Sequence, residues 1–249
     1  MQATHTETST VAQANARSST PRVDLYAPIH KALRLFMTDT LVRVGRMDLA
    51  DTTETTLTMG QLSDLLDLCE SHVDHENQFV HTAIEARQPG GAARTGDDHV
   101  GHLASIDDLR DGVRGLEAAL AEHKPVLALR LYRHLALFVA ENFQHMHVEE
   151  TQNNAVLWAH YSDAELMDLH HRLLASIAPR ENLVVTRWMI PALDPTEAAL
   201  VLNGAKASMP PEAFLGVVEH IRPHLRHAVW AKLAPAIGVA QQPGLVNYR

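Results

Sequence analysis

Only one cysteine, Cys69, occurs among the 249 residues, which excludes an internal disulfide and any cysteine-built zinc site. A lone thiol fits a reducing compartment, and a cytoplasmic protein is expected. Aromatic residues are scarce at 5%, whereas Ala, Leu and Val are plentiful, a mix that favours helix over sheet. No run of about 18 apolar residues exists, so neither a transmembrane helix nor a membrane partner is expected. The first ~20 residues are rich in Thr, Ser, Ala and Gln and lack the apolar block of a secretory signal. Basic charge is in deficit, with 21 Lys and Arg against 30 Asp and Glu, and the net charge of -9 argues against nucleic acid as a partner. Also missing are Gly-x-Gly-x-x-Gly, P-loop and Gly-x-Ser-x-Gly motifs, which removes the common nucleotide and serine-hydrolase signatures.

What the chain does have is histidine, 17 in all. Two of these stand four residues ahead of a glutamate, in His72-Val-Asp-His-Glu76 and His145-Met-His-Val-Glu149. Residues four apart lie above one another on a helix, so each pair presents an imidazole and a carboxylate in one direction. Two such helices facing each other would hold two nitrogens and two bridging carboxylates, a set suited to a pair of iron ions. Manganese or a mixed pair would satisfy the same residues. A third instance, His81 with Glu85, warns that spacing alone decides little. No Glu-x-x-His pair exists, which argues against the ferritin-like arrangement.

The face on which each pair lies carries more weight. Apolar periodicity predicts a first helix from about Pro28 to Arg46, with His30 on its stripe. Gly45 to Thr58 reads as a loop, and a second helix follows from about Met59 to Arg87. Its stripe of Leu62, Leu65, Leu66, Cys69, His72, Val73, Glu76 and Val80 gives His72 and Glu76 places where apolar residues belong. A third helix, with Thr95 and Asp97 as candidate caps, opens its apolar face with His99 and His102. The fourth runs from about Pro125 to Trp158, and His145 and Glu149 again interrupt the core stripe. Burying these groups unpartnered would be very costly. A metal cluster removes that cost; the alternative is that they pair with one another or with water in a wet centre. From about Ser162 to Gly238 repeated prolines cut the chain into short helices without a comparable site.

In their order, His30, His72-x-x-x-Glu76, a histidine opening the third helix, and His145-x-x-x-Glu149-Glu150 resemble the hemerythrin-like (HHE cation-binding) domains. The resemblance covers about residues 24–160, and the stretch from Asn142 to Glu150 followed by Leu157-Trp158 is similar to bacterial members. It implies an all-α fold, an up-down-up-down four-helix bundle followed by additional short helices. It also implies a centre of two iron ions bridged by two carboxylates and an oxo or hydroxo group. Carried onto this sequence, Glu76 and Glu149 would be the bridges and His30, His72 and His145 terminal ligands, with His99 or His102 completing the set. Some relatives place the two third-helix histidines four positions apart; here they are three apart, with Gly101 between. His102 is better placed against Ile106 and Leu109, leaving His99 to cap or gate.

The resulting organisation is a disordered tail over 1–23, the metal-binding bundle over 24–160, a helical extension over 161–240 and a loose tail over 241–249. The expected function is binding of O2, peroxide or nitric oxide in sensing or detoxification, the extension acting as a regulatory or protein-binding module or as a cover over one end. A catalase-like or peroxide-reducing activity finds no dedicated proton-transfer group in the sequence. Two other readings are a metal-responsive helical binding module without redox chemistry and a structural helical protein with a wet centre. His75 and His147 lie one position off the stripe and read as supporting or surface groups, and Glu150 as facing solvent or a supporting partner. His81 with Glu85 reads as a solvated pair. His220, His224 and His227 are interrupted by Pro223 and lack a carboxylate in register, and Cys69 reads as a small core residue.

Overall fold

The apolar stripes fold into four long helices and five shorter ones, and no strand occurs among the described residues. The structure, a computed structural model, describes residues 22–240; the tails expected over 1–21 and 241–249 lie outside the described residues. Arg22 and Val23, expected to be tail, are instead pinned. Arg22 pairs with Asp163 at 2.6 Å and donates to the carbonyls of Trp158 and Tyr161, while the Trp158 indole donates to the Val23 carbonyl.

Helix α1 (Ala27–Gly45) enters through Asp24, whose carboxylate accepts from the amides of Tyr26 and Ala27. It ends at Gly45, where a Cβ would stand 2.8 Å from the Tyr132 ring, so only glycine permits this approach. Helix α2 begins at Thr52, two turns before the expected Met59, because the Asp51 carboxylate accepts from the amides of Thr53 and Glu54. It runs over Thr52–His75, passes without a break through a π-helical turn (Glu76–His81), and continues over Thr82–Arg87. Helix α3 (Ala93–Ala118) starts before both candidate caps. The turn ahead of it is held by Glu85, which accepts from the amides of Gly90 and Ala92, with Gly90 at φ +80°. Helix α4 repeats the plan of α2: Lys124–Val148, a π turn (Glu149–Asn153), then Asn154–His160.

Each long helix packs on two others, α1 and α3 both meeting α2 and α4. Their shared core includes Leu33, Phe36, Met37, Leu62, Leu65, Leu66, Leu109, Leu135 and Phe138. A second, smaller core of Tyr26, Val80, Ile84, Ala92, Leu157 and Leu166 closes one end. Leu166 belongs to α5 (Asp163–Ser176), which opens with a reciprocal cap between Ser162 and Glu165.

The remaining helices are α6 (Pro179–Ala192), α7 (Pro195–Ser208), α8 (Pro211–Ile221, followed by a 3-10 turn) and α9 (His227–Ala236). Helices α7 to α9 build their own core around Leu202, Phe214, Ile221, Trp230 and Leu233. Helix α6 is shared. Its Val185 and Trp188 join the long-helix core, Trp188 stacking on Phe36 with ring centroids 4.0 Å apart, while Ile190 faces the C-terminal core. No described helix is long and apolar enough to cross a membrane.

Candidate metal centre

Glu76 and Glu149 occupy equivalent places: each follows a histidine by four residues and opens a π turn. The extra residue of a π turn shifts every side chain after it around the helix, and such turns concentrate at functional sites. The two turns face each other across the long helices, and both carboxylates are buried.

Four imidazoles converge on them. His30 Nε2 lies 3.6 Å from Glu76 Oε1 and 3.4 Å from Glu149 Oε2, and His72 Nε2 lies 3.1 Å from Glu76 Oε1. On the other side, His99 Nε2 is 3.3 Å from Glu76 Oε2 and 3.7 Å from Glu149 Oε1, and His145 Nε2 is 3.2 Å from Glu149 Oε1. Each carboxylate therefore turns one oxygen to His30 and its neighbours and the other to His99 and its neighbours. Two ligand groups result, His30, His72, Glu76 and Glu149, and Glu76, His99, His145 and Glu149, each with its donor atoms within 4.8 Å of one another.

These contacts are close without being hydrogen bonds. All four carboxylate oxygens and Nε2 of His30 and His72 are buried and lack a hydrogen-bond partner among the described residues. Two unsatisfied buried carboxylates would cost several kcal/mol each after relaxation. His99 Nε2 and His145 Nε2 also lie within hydrogen-bond distance of each other, at 3.0 Å, but the carboxylate oxygens and the nitrogens of His30 and His72 converge without pairing, so these residues could hold a metal.

The outer nitrogens of three histidines are held. His30 Nδ1 meets Glu150 Oε1 at 3.1 Å, and Glu150 is gripped by both guanidinium nitrogens of Arg34 at 2.6 and 3.0 Å. His99 Nδ1 meets Asn77 Oδ1 at 2.9 Å, and His145 Nδ1 meets Asp98 Oδ2 at 3.3 Å. Such partners fix the ring and leave Nε2 to face the centre. Sequence reading missed Asn77, Asp98 and Arg34; the only signal for the first two was a polar residue adjacent to a candidate ligand.

The third-helix histidines separate clearly. His99 reaches the centre, while His102 lies a turn further on, its ring edge-on to His145 at 4.7 Å, and joins neither ligand group. The expectation that His102 was the better placed is reversed, because His99 sits at the depth of the two π turns. His81 is not a solvated partner of Glu85. Glu85 caps the loop before α3, and the π turn swings His81 inward, buried and stacked on His99 at 4.8 Å with its Nε2 3.9 Å from Glu149 Oε1. His75 rests near Ser71 and Glu181, and His147 is exposed. Cys69 is a core residue whose thiol burial pushes up to about 12. Of the C-terminal histidines, His220 bonds the Leu183 carbonyl, and none enters a ligand group.

The buried charges set the local protonation. Burial would lower His30 and His99, but the adjoining carboxylates outweigh it and raise both to about 9. Burial would raise Glu76, yet the charge of His72 and contact with His30 and His99 hold it well below the usual carboxylate range. His102, buried beside His145 and His99, is lowered to about 4. Burial and the charges of Glu149 and Glu76 lift Tyr26 well above the usual phenol range.

Comparison with protein-family models, with curated proteins and with solved structures finds no match to this chain.

Proposed function

We propose that this chain is a hemerythrin-like protein in which α1–α4 form an up-down-up-down four-helix bundle around two iron ions. In this reading it binds O2, peroxide or nitric oxide in sensing or detoxification. The observation that carries the reading is the division of each carboxylate, one oxygen toward the His30 and His72 group and the other toward the His99 and His145 group. Two bridging carboxylates with two imidazoles on either side suit a dinuclear site better than a single ion.

Glu76 and Glu149 would be shared between the two ions, with His30 and His72 holding one and His99 and His145 the other. Iron held there would supply a redox-active Lewis acid for a small ligand. The protein residues orient the donors through Glu150, Asn77 and Asp98, and the burial of both carboxylates keeps bulk water away.

A second reading, a metal-responsive module without redox chemistry, is favoured by one contact. Glu181 of α6 accepts from Ser71 at 2.6 Å and lies 3.6 Å from His75, on the α2 turn that carries His72. Helix α6 thus touches the segment that metal loading would order.

Metal analysis and the visible spectrum of purified protein test the proposal. About two irons per chain with visible charge-transfer bands, both lost in Glu76→Ala and in Glu149→Ala, is the expected result. Colourless protein that stays folded and takes up no iron would overturn it. Two irons without any response to peroxide or nitric oxide would favour the second reading.

A further inference from the structure

Beside the two ligand groups runs a polar wall that ligation does not use. Its members come from all four long helices: Tyr26 at the N-cap of α1, His81 at the end of the α2 π turn, Thr95 in α3 and Asn153 at the end of the α4 π turn. All four are buried. The Asn153 amide donates to the Tyr26 phenol oxygen and to the Thr95 hydroxyl, each at 3.2 Å, and His81 Nε2 lies 3.1 Å from that hydroxyl.

The wall spans the centre. The Tyr26 ring stands 5.2 Å from that of His30, in one ligand group, and the His81 ring 4.8 Å from that of His99, in the other. Val80, Ile84, Leu157 and Leu166 pack with Tyr26 in the apolar core at this end, screening the wall from solvent. Such burial of polar groups persists in folded proteins when each finds a partner.

One group does not. The phenol oxygen of Tyr26 accepts from Asn153, but its own O–H has no acceptor among the described residues. A buried donor left unmade costs free energy, which a guest carrying an acceptor recovers. A charged acceptor recovers more than a neutral one, since hydrogen bonds to ions are about twice as strong.

We propose that Tyr26, positioned by Asn153 and Thr95, selects a small hydrogen-bond-accepting anion at this centre over neutral diatomic guests. The inference rests on reading the centre as a metal site. It narrows the candidate guests to the anionic class to which peroxide in its deprotonated form belongs. Asn153 and Thr95 are positioning residues: they touch the phenol or its holder and not the guest.

Full-length, iron-loaded protein is titrated with azide as the anionic probe and nitric oxide as the neutral one, followed by visible absorption, with iron content measured in every sample. Tyr26→Phe is expected to weaken azide about tenfold or more while leaving nitric oxide within about twofold. Thr95→Val, which leaves the phenol in place, is expected to shift the same ratio in the same direction by less. Should Tyr26→Phe fail to fold, Thr95→Val and Asn153→Ala carry the test, and an unchanged azide ratio in both overturns the proposal. Equal weakening of both probes, or no weakening of azide, likewise overturns it and assigns the wall a purely structural role. Wild-type protein that takes up no iron removes the metal reading itself, whereas loaded protein with indifferent azide binding removes this inference alone.

Discussion

Glu76 and His81 share a face of α2 although they stand five positions apart, because the helix passes through a π turn between the two. In an uninterrupted α-helix they would point roughly 140° apart. The turn thus brings a second histidine of α2, His81, toward Glu149.

Deleting the exposed Gln78 would restore ordinary helical spacing and keep the register of Val80 and Ile84, because His81 then follows Glu76 by four. The metal-free variant is expected to unfold at higher urea than wild type, while iron per chain falls. Lower stability with undiminished iron would show that the turn is there for packing and not for the centre.

Glu150 is a partly exposed handle on the proposed metal centre. Burial opposes its ionisation, but contact with His30 and Arg34 holds the carboxyl down to about 2. Glu150→Gln releases the His30 ring and is expected to cost about 10–100-fold in metal affinity with the fold retained. Competition against a coloured chelator gives the number, and circular dichroism controls for folding.

Removing the metal should lower stability by the binding free energy that the folded state captures. At a free-metal concentration about 100 times the dissociation constant that is about 2.7 kcal/mol. For a chain of this size it corresponds to a fall of about 5–10 °C in the thermal midpoint on adding EDTA. An unchanged midpoint would argue that the centre binds nothing tightly.

The pH dependence of the metal-free protein has a defined sign. His30 and His99, raised from 6.5 to about 9, contribute stability that is complete below pH 6.5 and lost as pH rises toward 9. His81 and His102, lowered from 6.5 and the latter to about 4, contribute stability that is lost as pH falls below 6.5. The urea midpoint in EDTA is therefore expected to peak near pH 6.5 and fall on both sides. Metal-loaded protein should behave oppositely on the alkaline side, because ligation requires deprotonated imidazoles. Parallel curves with and without EDTA would contradict this account.

Helical periodicity made His30, His72, Glu76, His145 and Glu149 legible, because each replaces an apolar residue at a core position. The same periodicity could not choose between His99 and His102, which both fall on the inner face of α3; their depth relative to the two π turns decides. It misassigned His81 for a definite reason: no pattern built on 3.6 residues per turn anticipates an inserted residue. The start of α2 was hidden by a threonine-rich first turn that the Asp51 cap supports. The boundary at residue 160 was drawn where the ligand pattern stops, but packing continues beyond it, since Trp188 stacks on Phe36 in the long-helix core.

That stacked pair bears on how the chain can be dissected. Because α6 closes the face of α1 with Trp188 and reaches the C-terminal core through Ile190, cutting after His160 would strip a ring from Phe36 and leave α7 to α9 without their anchor. A fragment ending at His160 is accordingly expected to be less stable than one continuing past Leu193, and the histidine-glutamate centre and the C-terminal helices do not behave as separate cassettes.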